Sequence, residues 1–98
     1  MAERVGPLNG VRAVTCSTAQ AGTVPYMMMA DLGAEVIKVE VPGVGDGSRT
    51  AGELRGEISS FFETNNRGVK SVTLDLKSAE GRKILHRLIE TADIFGQN

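Results

Sequence analysis

The chain holds one cysteine, one histidine, one tyrosine and no tryptophan in 98 residues. Each scarcity excludes something. A single cysteine, Cys16, forms no internal disulfide, so a disulfide-stapled secreted scaffold is excluded and a cytoplasmic setting is expected. One histidine and one cysteine make no ligand cluster, so no metal site is expected. An excess of one charge is also missing: 11 Lys and Arg stand against 12 Asp and Glu, a formal net charge of −1. A nucleic-acid platform needs a clustered basic face, so nucleic acid is not an expected partner. The longest apolar run, VPYMMMA at 24–30, is too short to span a bilayer, so no membrane partner is expected. The opening MAERVGPLNG lacks the apolar core of a secretory signal.

Glycine, in contrast, is abundant, with twelve residues beside 41% hydrophobic and 23% charged ones. Those fractions belong to globular chains rather than disordered ones. The length admits one small domain. So many glycines imply many turns for so short a chain. The closing ADIFGQN at 92–98 reads as entry into a strand. The sequence is therefore expected to be a piece of a larger protein.

Hydrophobic periodicity alternates between two kinds. VRAVTC (11–16) is β-branched and apolar, which predicts a buried strand. PYMMMADL (25–32) predicts a short helix, with Pro25 in its first turn and Gly33 stopping it in a left-handed cap. EVIKVE (35–40) alternates in and out with period two, a strand pattern. Residues 42–57, rich in glycine and charge, predict an irregular loop. ISSFFETN (58–65) predicts a short helix and SVTLDL (71–76) a strand. Residues 78–91 predict an amphipathic helix capped by Ser78, with Ile84, Leu85, Leu88, Ile89 and Ala92 on one face. Asp93–Phe95 begins a further strand. This order predicts an α/β fold, a Rossmann-like parallel sheet with flanking helices. Such sheets bind ligands at the carboxyl ends of their strands, which directs attention to residues 16–24, 40–50 and 76–78, plus the turn at 65–70.

Three segments could carry chemistry. Ser17–Gly22 joins the first strand to the first helix, where small residues let a ligand approach free backbone N–H groups. It lacks the GxGxxG fingerprint, and an ordinary strand-to-helix turn accounts for it as well. Gly43–Arg49 has three alternating glycines and an arginine that could meet an anion, but no GK[ST] ending; a flexible surface loop is the alternative. Asn65–Ser71 crowds two amides and two cations into one turn. Arg67 and Lys70 could both face one phosphate, or the segment is a solvated turn. His86 reads as a surface residue, Cys16 as a packed thiol and Met27–Met29 as core. Asp31 and Asp75 have no acid or base partner in view. The residues alone reach an α/β domain with a face for an anionic ligand, and no reaction.

A longer pattern adds to this. ADLGAEVIKVE (30–40), with Pro42-Gly43, Gly45-Asp46 and Arg49, resembles the amino-terminal region of the family III CoA-transferases, the CaiB/BaiF family. The likeness continues through Asn66-Arg67-Gly68, Lys70–Lys77, Glu80–Arg82 and Ala92–Ile94, and the opening Pro7–Arg12 also fits. Four positions depart from the pattern: Thr23 follows Gly22 where proline is usual, Val41 and Val69 stand where some members carry a cation, and Gly96 replaces an apolar residue.

The resemblance implies that residues 1–98 are the amino-terminal portion of a larger domain, truncated before the catalytic aspartate. It implies transfer of coenzyme A between carboxylic acids through an aspartyl mixed anhydride. Acyl-CoA and a carboxylic acid are then the substrates, with no tightly bound cofactor. The whole enzyme would be an interlocked homodimer, and the 98-residue piece inactive. By position, Ala19, Gln20 and Ala21 would line the CoA pocket, Gln20 near the thioester. Asn66, Arg67 and Lys70 would bind the nucleotide portion. The alternatives are a 2-methylacyl-CoA racemase or epimerase of the same family, and a non-catalytic CoA- or nucleotide-binding fragment.

Overall fold

The computed structural model describes residues 5–98. In chain order the elements are β1 (Arg12–Thr15), α1 (Val24–Asp31), β2 (Glu35–Glu40), a 3₁₀ turn (Gly47–Thr50), β3 (Leu54–Arg55), β4 (Ile58–Ser59), α2 (Ser60–Asn65), β5 (Lys70–Thr73), α3 (Ala79–Glu90) and β6 (Ile94–Gly96). Four strands form one sheet in the order β5-β2-β1-β6. Every pairing in it is parallel, with Val14 opposite Ile37 and Phe95, and Val39 opposite Val72. This is the expected α/β layer.

Alternation along the strands sorts the core into two layers. Ala13 and Val36 turn to one face, where Ala30 of α1 and Ala34 meet them. Val14, Ile37 and Val39 turn to the other, against Leu74 and the Leu85, Leu88 and Ala92 stripe at α3. A helix on each face leaves the central strand no solvent side. That corrects the reading of EVIKVE as half exposed: Lys38 is 2% and Glu40 6% exposed. Lys38 and Glu40 are instead satisfied inside the protein.

Local signals account for the boundaries. Pro25 sits in the first turn of α1, and Gly33 takes φ 105° just beyond its end. The Ser78 hydroxyl accepts from Gly81 N at 3.0 Å and caps α3. Gly81 is there for a second reason: a Cβ at that residue would lie 1.9 Å from the Asp75 carbonyl oxygen. Ile84 was expected on the buried face of α3 but is exposed, because the stripe that meets the sheet runs through 85, 88 and 92.

The segment 42–57 differs more. Its composition predicts an irregular loop, yet it holds the 3₁₀ turn and the short hairpin β3–β4. The hairpin closes over Gly56-Glu57, with Gly56 at φ 62°, the conformation a two-residue hairpin turn demands. α2 accordingly starts at Ser60, two residues later than expected. Ser59 precedes it as a cap and accepts from Phe62 N at 3.2 Å. No helix among the described residues is long and apolar enough to cross a membrane.

Candidate functional site

The chain leaves β1 toward β2 on one side, and β6 returns on the other. The strand order therefore reverses between the carboxyl ends of β1 and β6, the place where open parallel sheets take ligands. Close contacts join the chain at these two strand ends. Cys16 N donates to the Gly96 carbonyl at 3.1 Å. Asn98 grips Thr18 twice, accepting from its N–H and donating to its carbonyl, both at 3.0 Å. Gly22 lies so close that a Cβ there would come within 2.6 Å of the Asn98 amide nitrogen.

The turn itself is unusual at Ala19. Its φ of 63° is the one left-handed non-glycine conformation among the described residues. An alanine there costs on the order of 1 kcal/mol, so neighbours must hold it. Two do. Ala19 N donates to Asp46 Oδ1 at 3.4 Å, and Thr23 Oγ1 donates to the Ala19 carbonyl. Gln20 and Ala21 follow, both exposed beyond the end of β1. The Gln20 carbonyl is occupied by Thr23 N and Val24 N at 3.1 and 3.0 Å. Cys16 is half-buried beside the sheet core, and burial pushes its thiol pKa up. It is a packed thiol, as expected.

Behind the turn lies a polar network that reading the sequence missed. Lys38 Nζ donates to Asp46 Oδ2 and, at 2.8 Å, to Asn66 Oδ1. Asp46 Oδ1 accepts from Ser48 N and Oγ at 2.9 and 2.8 Å. Burial pushes the Asp46 carboxyl up, but Lys38 and Ser48 outweigh it and hold the pKa below the usual value. Next to it, Glu40 receives Arg49 in a two-point fork, at 2.8 and 2.7 Å. That guanidinium is the main reason the Glu40 pKa falls to about 2; Ser71 and the Asp46 amide add to it, against burial. The Arg49 guanidinium lies 3.9 Å from the Phe62 ring centre and Lys38 Nζ 5.3 Å.

The Gly43–Arg49 segment is therefore no flexible loop. Its arginine is committed to Glu40, and its Asp46 and Ser48 are buried. A cavity of about 270 Å³ opens beside it over the ends of β2 and β5, lined in part by Glu40, Gly45, Arg49, Ser71 and Thr73. The alternating charge in EVIKVE was a visible signal for this network once both faces of the sheet were known to be covered.

The six expected ligand-facing residues do not gather in one place. Ala19, Gln20 and Ala21 stand at the carboxyl end of β1, by the start of α1. Arg67 and Lys70 stand on the other side of the sheet's span, near the end of α1. Arg67 forks onto Asp31 at 3.1 and 2.7 Å, and that bond lowers the Asp31 pKa. Lys70 reaches Glu35 at 2.7 Å and, with Arg12, lowers the Glu35 pKa. Asn66 is buried, with its oxygen on Lys38 and its nitrogen donating to the Phe62 carbonyl at 3.0 Å. Asp31 is held by Arg67, and Asp75 Oδ1 accepts from Lys77 N at 3.0 Å. Neither stands in the turn after β1. His86 is exposed on α3.

Comparison with known proteins agrees with the parallel α/β layer. The model of CoA-transferase family III matches residues 8–98. The succinate–glutarate CoA-transferase of Agrobacterium fabrum is 38% identical over 100% of this chain and 26% of its own length. The human succinyl-CoA:glutarate CoA-transferase is 40% identical over 96% of this chain and 22% of its own. Among solved structures, a CaiB/BaiF family protein from Brucella suis superposes with a TM-score of 0.88 at 38% identity, covering 97% of this chain and 26% of that one. The chain thus spans about a quarter of the length of the relatives it matches.

Proposed function

The chain belongs to CoA-transferase family III, and from that membership we propose that the complete protein moves coenzyme A between carboxylic acids. Residues 5–98 then supply one wall of the CoA site. The observation that carries this reading is the reversal of strand order between β1 and β6, where the exposed Gln20 and Ala21 follow the left-handed Ala19. The thioester end of an acyl-CoA sits there, positioned by Gln20 and the small residues beside it. An aspartate outside these 98 residues attacks the thioester carbonyl. Its oxygen bonds to the acyl carbon, the C–S bond breaks, and CoA leaves as the thiolate while the acyl group stays in a mixed anhydride. No tightly bound cofactor takes part, and the complete protein is a homodimer.

The nucleotide end is assigned to Arg67 and Lys70, with Asn66 setting the shape of their turn from beneath. Both cations are partly exposed and can exchange a carboxylate for a phosphate, where a fork and a point charge complement each other. A ligand using both ends must run along α1, whose eight residues span about 12 Å.

The names of the relatives support a transferase over a racemase. The deciding assay offers the complete protein one acyl-CoA and a second, isotope-labelled carboxylic acid. Mass spectrometry should find the labelled acid as its CoA thioester. A racemase would instead exchange the α-hydrogen of a 2-methylacyl-CoA and transfer no CoA. Residues 1–98 alone should show no turnover. For the nucleotide end, calorimetry with CoA on Arg67→Ala/Lys70→Ala should show at least a tenfold loss of affinity. Unchanged affinity would remove that turn from the site.

A further inference from the structure

Asp46 lies in the glycine-rich loop, 27 residues from Ala19 in sequence, yet its carboxylate reaches that residue's amide. Its own position is fixed from three sides. Its backbone N–H donates to Glu40 Oε1 at 2.7 Å, Oδ2 takes the Lys38 ammonium, and Oδ1 takes both donors of Ser48. At 1% exposure it is among the most deeply buried side chains described. Such a group is a rigid anchor, and what it anchors beyond its own loop is the Ala19 peptide.

That peptide is where help is needed. Alanine disfavours the left-handed region, and a hydrogen bond to an ionised acceptor is stronger than one to a neutral group. Lys38 keeps the acceptor ionised inside the protein. The direction of the Gln20 and Ala21 backbone follows from the Ala19 conformation, because two dihedrals per residue set the path of the chain. We propose that Asp46 is a positioning residue for the reacting end of the substrate: held by Lys38, it fixes Ala19 and thereby sets the path of Gln20 and Ala21 at the carboxyl end of β1. This rests on the CoA-transferase reading, since that reading gives this strand end its reaction.

The test uses two double variants of the complete protein. Lys38→Met/Asp46→Asn removes both charges and keeps an oxygen acceptor at Oδ1. Lys38→Met/Asp46→Leu removes the charges and the acceptor together. Both lose the buried ion pair, so their difference isolates the acceptor. The asparagine variant keeps a neutral, weaker acceptor and should lose less kcat than the leucine variant by at least threefold. The leucine variant should lose at least tenfold in kcat, with KM for acyl-CoA moving less than threefold, and its Ala19 amide should exchange hydrogen at least tenfold faster. Equal kcat in the two variants overturns the proposal, as does a melting-temperature drop with activity per folded molecule unchanged. Where the leucine variant does not fold, the parent protein decides. Its Ala19 amide should be protected at least a hundredfold over a free peptide although the residue is exposed, and an unprotected amide overturns the proposal. Failure of the underlying reading looks different: the parent transfers no CoA, while the Ala19 exchange rates still test the anchor.

Discussion

The hydroxyl of Tyr26 occupies the space that a side chain at residue 96 would take. A Cβ built on Gly96 would lie 1.7 Å from Tyr26 Oη and 3.0 Å from Cζ. The glycine that departs from the family pattern is therefore matched to a tyrosine seventy residues earlier, across the sheet from β6 to α1. Gly96→Ala should destabilise the protein by about 2 kcal/mol through overpacking. Tyr26→Phe in the same molecule should restore roughly half of that, since the oxygen is the nearer atom. Denaturant midpoints of the two single variants and the double variant would show the coupling. Additive effects would disconnect the pair.

A second prediction concerns acid. Glu40 titrates near 2 in the folded protein and near 4.5 once unfolded. Its folded pKa is depressed, so its contribution to stability is complete above the unfolded value and is lost as pH falls from about 4.5 toward 2. The carboxylate is buried but Arg49 is 40% exposed, so about 2 kcal/mol is the expected size. Glu40→Gln should flatten this part of the stability–pH curve, measured by urea unfolding between pH 6 and pH 3. A slope equal to the parent's would show that other carboxylates dominate.

The left-handed alanine gives a third. Ala19→Val should cost about 2 kcal/mol, because a β-branched side chain is a steric outlier at positive φ. Ala19→Gly should be within about 1 kcal/mol of the parent, since relief of strain offsets the added freedom of the unfolded chain. Thermal melts of the two variants should separate by several degrees. Equal melting points would argue against φ 63° at this residue.

The helix cap is a fourth. Ser78→Ala removes the acceptor for Gly81 N and should cost about 1 kcal/mol. In contrast, Arg67→Ala should leave the denaturant midpoint unchanged, because its pair with Asp31 is exposed. A large stability loss on Arg67→Ala would make its role structural and confound the CoA measurement.

Much of the layer was legible in the sequence, because helices and strands here obey local rules. EVIKVE begins and ends as a strand where its alternation begins and ends. Ser78 caps where a serine should, and Gly33 stops α1. The hairpin at 54–59 was hidden by brevity: two residues per strand show no period, and only Gly56-Glu57 marked the turn. The network at Lys38, Asp46 and Asn66 was hidden for a different reason. Its members are 8 and 28 residues apart, and nothing local says that a lysine within a strand will be covered on its own face. Arg67 and Lys70 were legible as a cationic turn. Their partners Asp31 and Glu35 were not, since both pairs form only when the sheet brings β5 beside β2 and the end of α1.

The length of α1 between the turn at Gln20 and the Arg67–Asp31 pair has one more consequence. A ligand held at both ends would feel two different media. Its phosphates would sit among exposed ions, where raising the salt from 0.1 M to 1 M shortens the Debye length from about 10 Å to about 3 Å. Its reacting end would rest on the uncharged Gln20 and Ala21, where there is no protein charge for salt to screen. Ionic strength would then act as a dial on how tightly the substrate is held while leaving the rate of the held substrate alone.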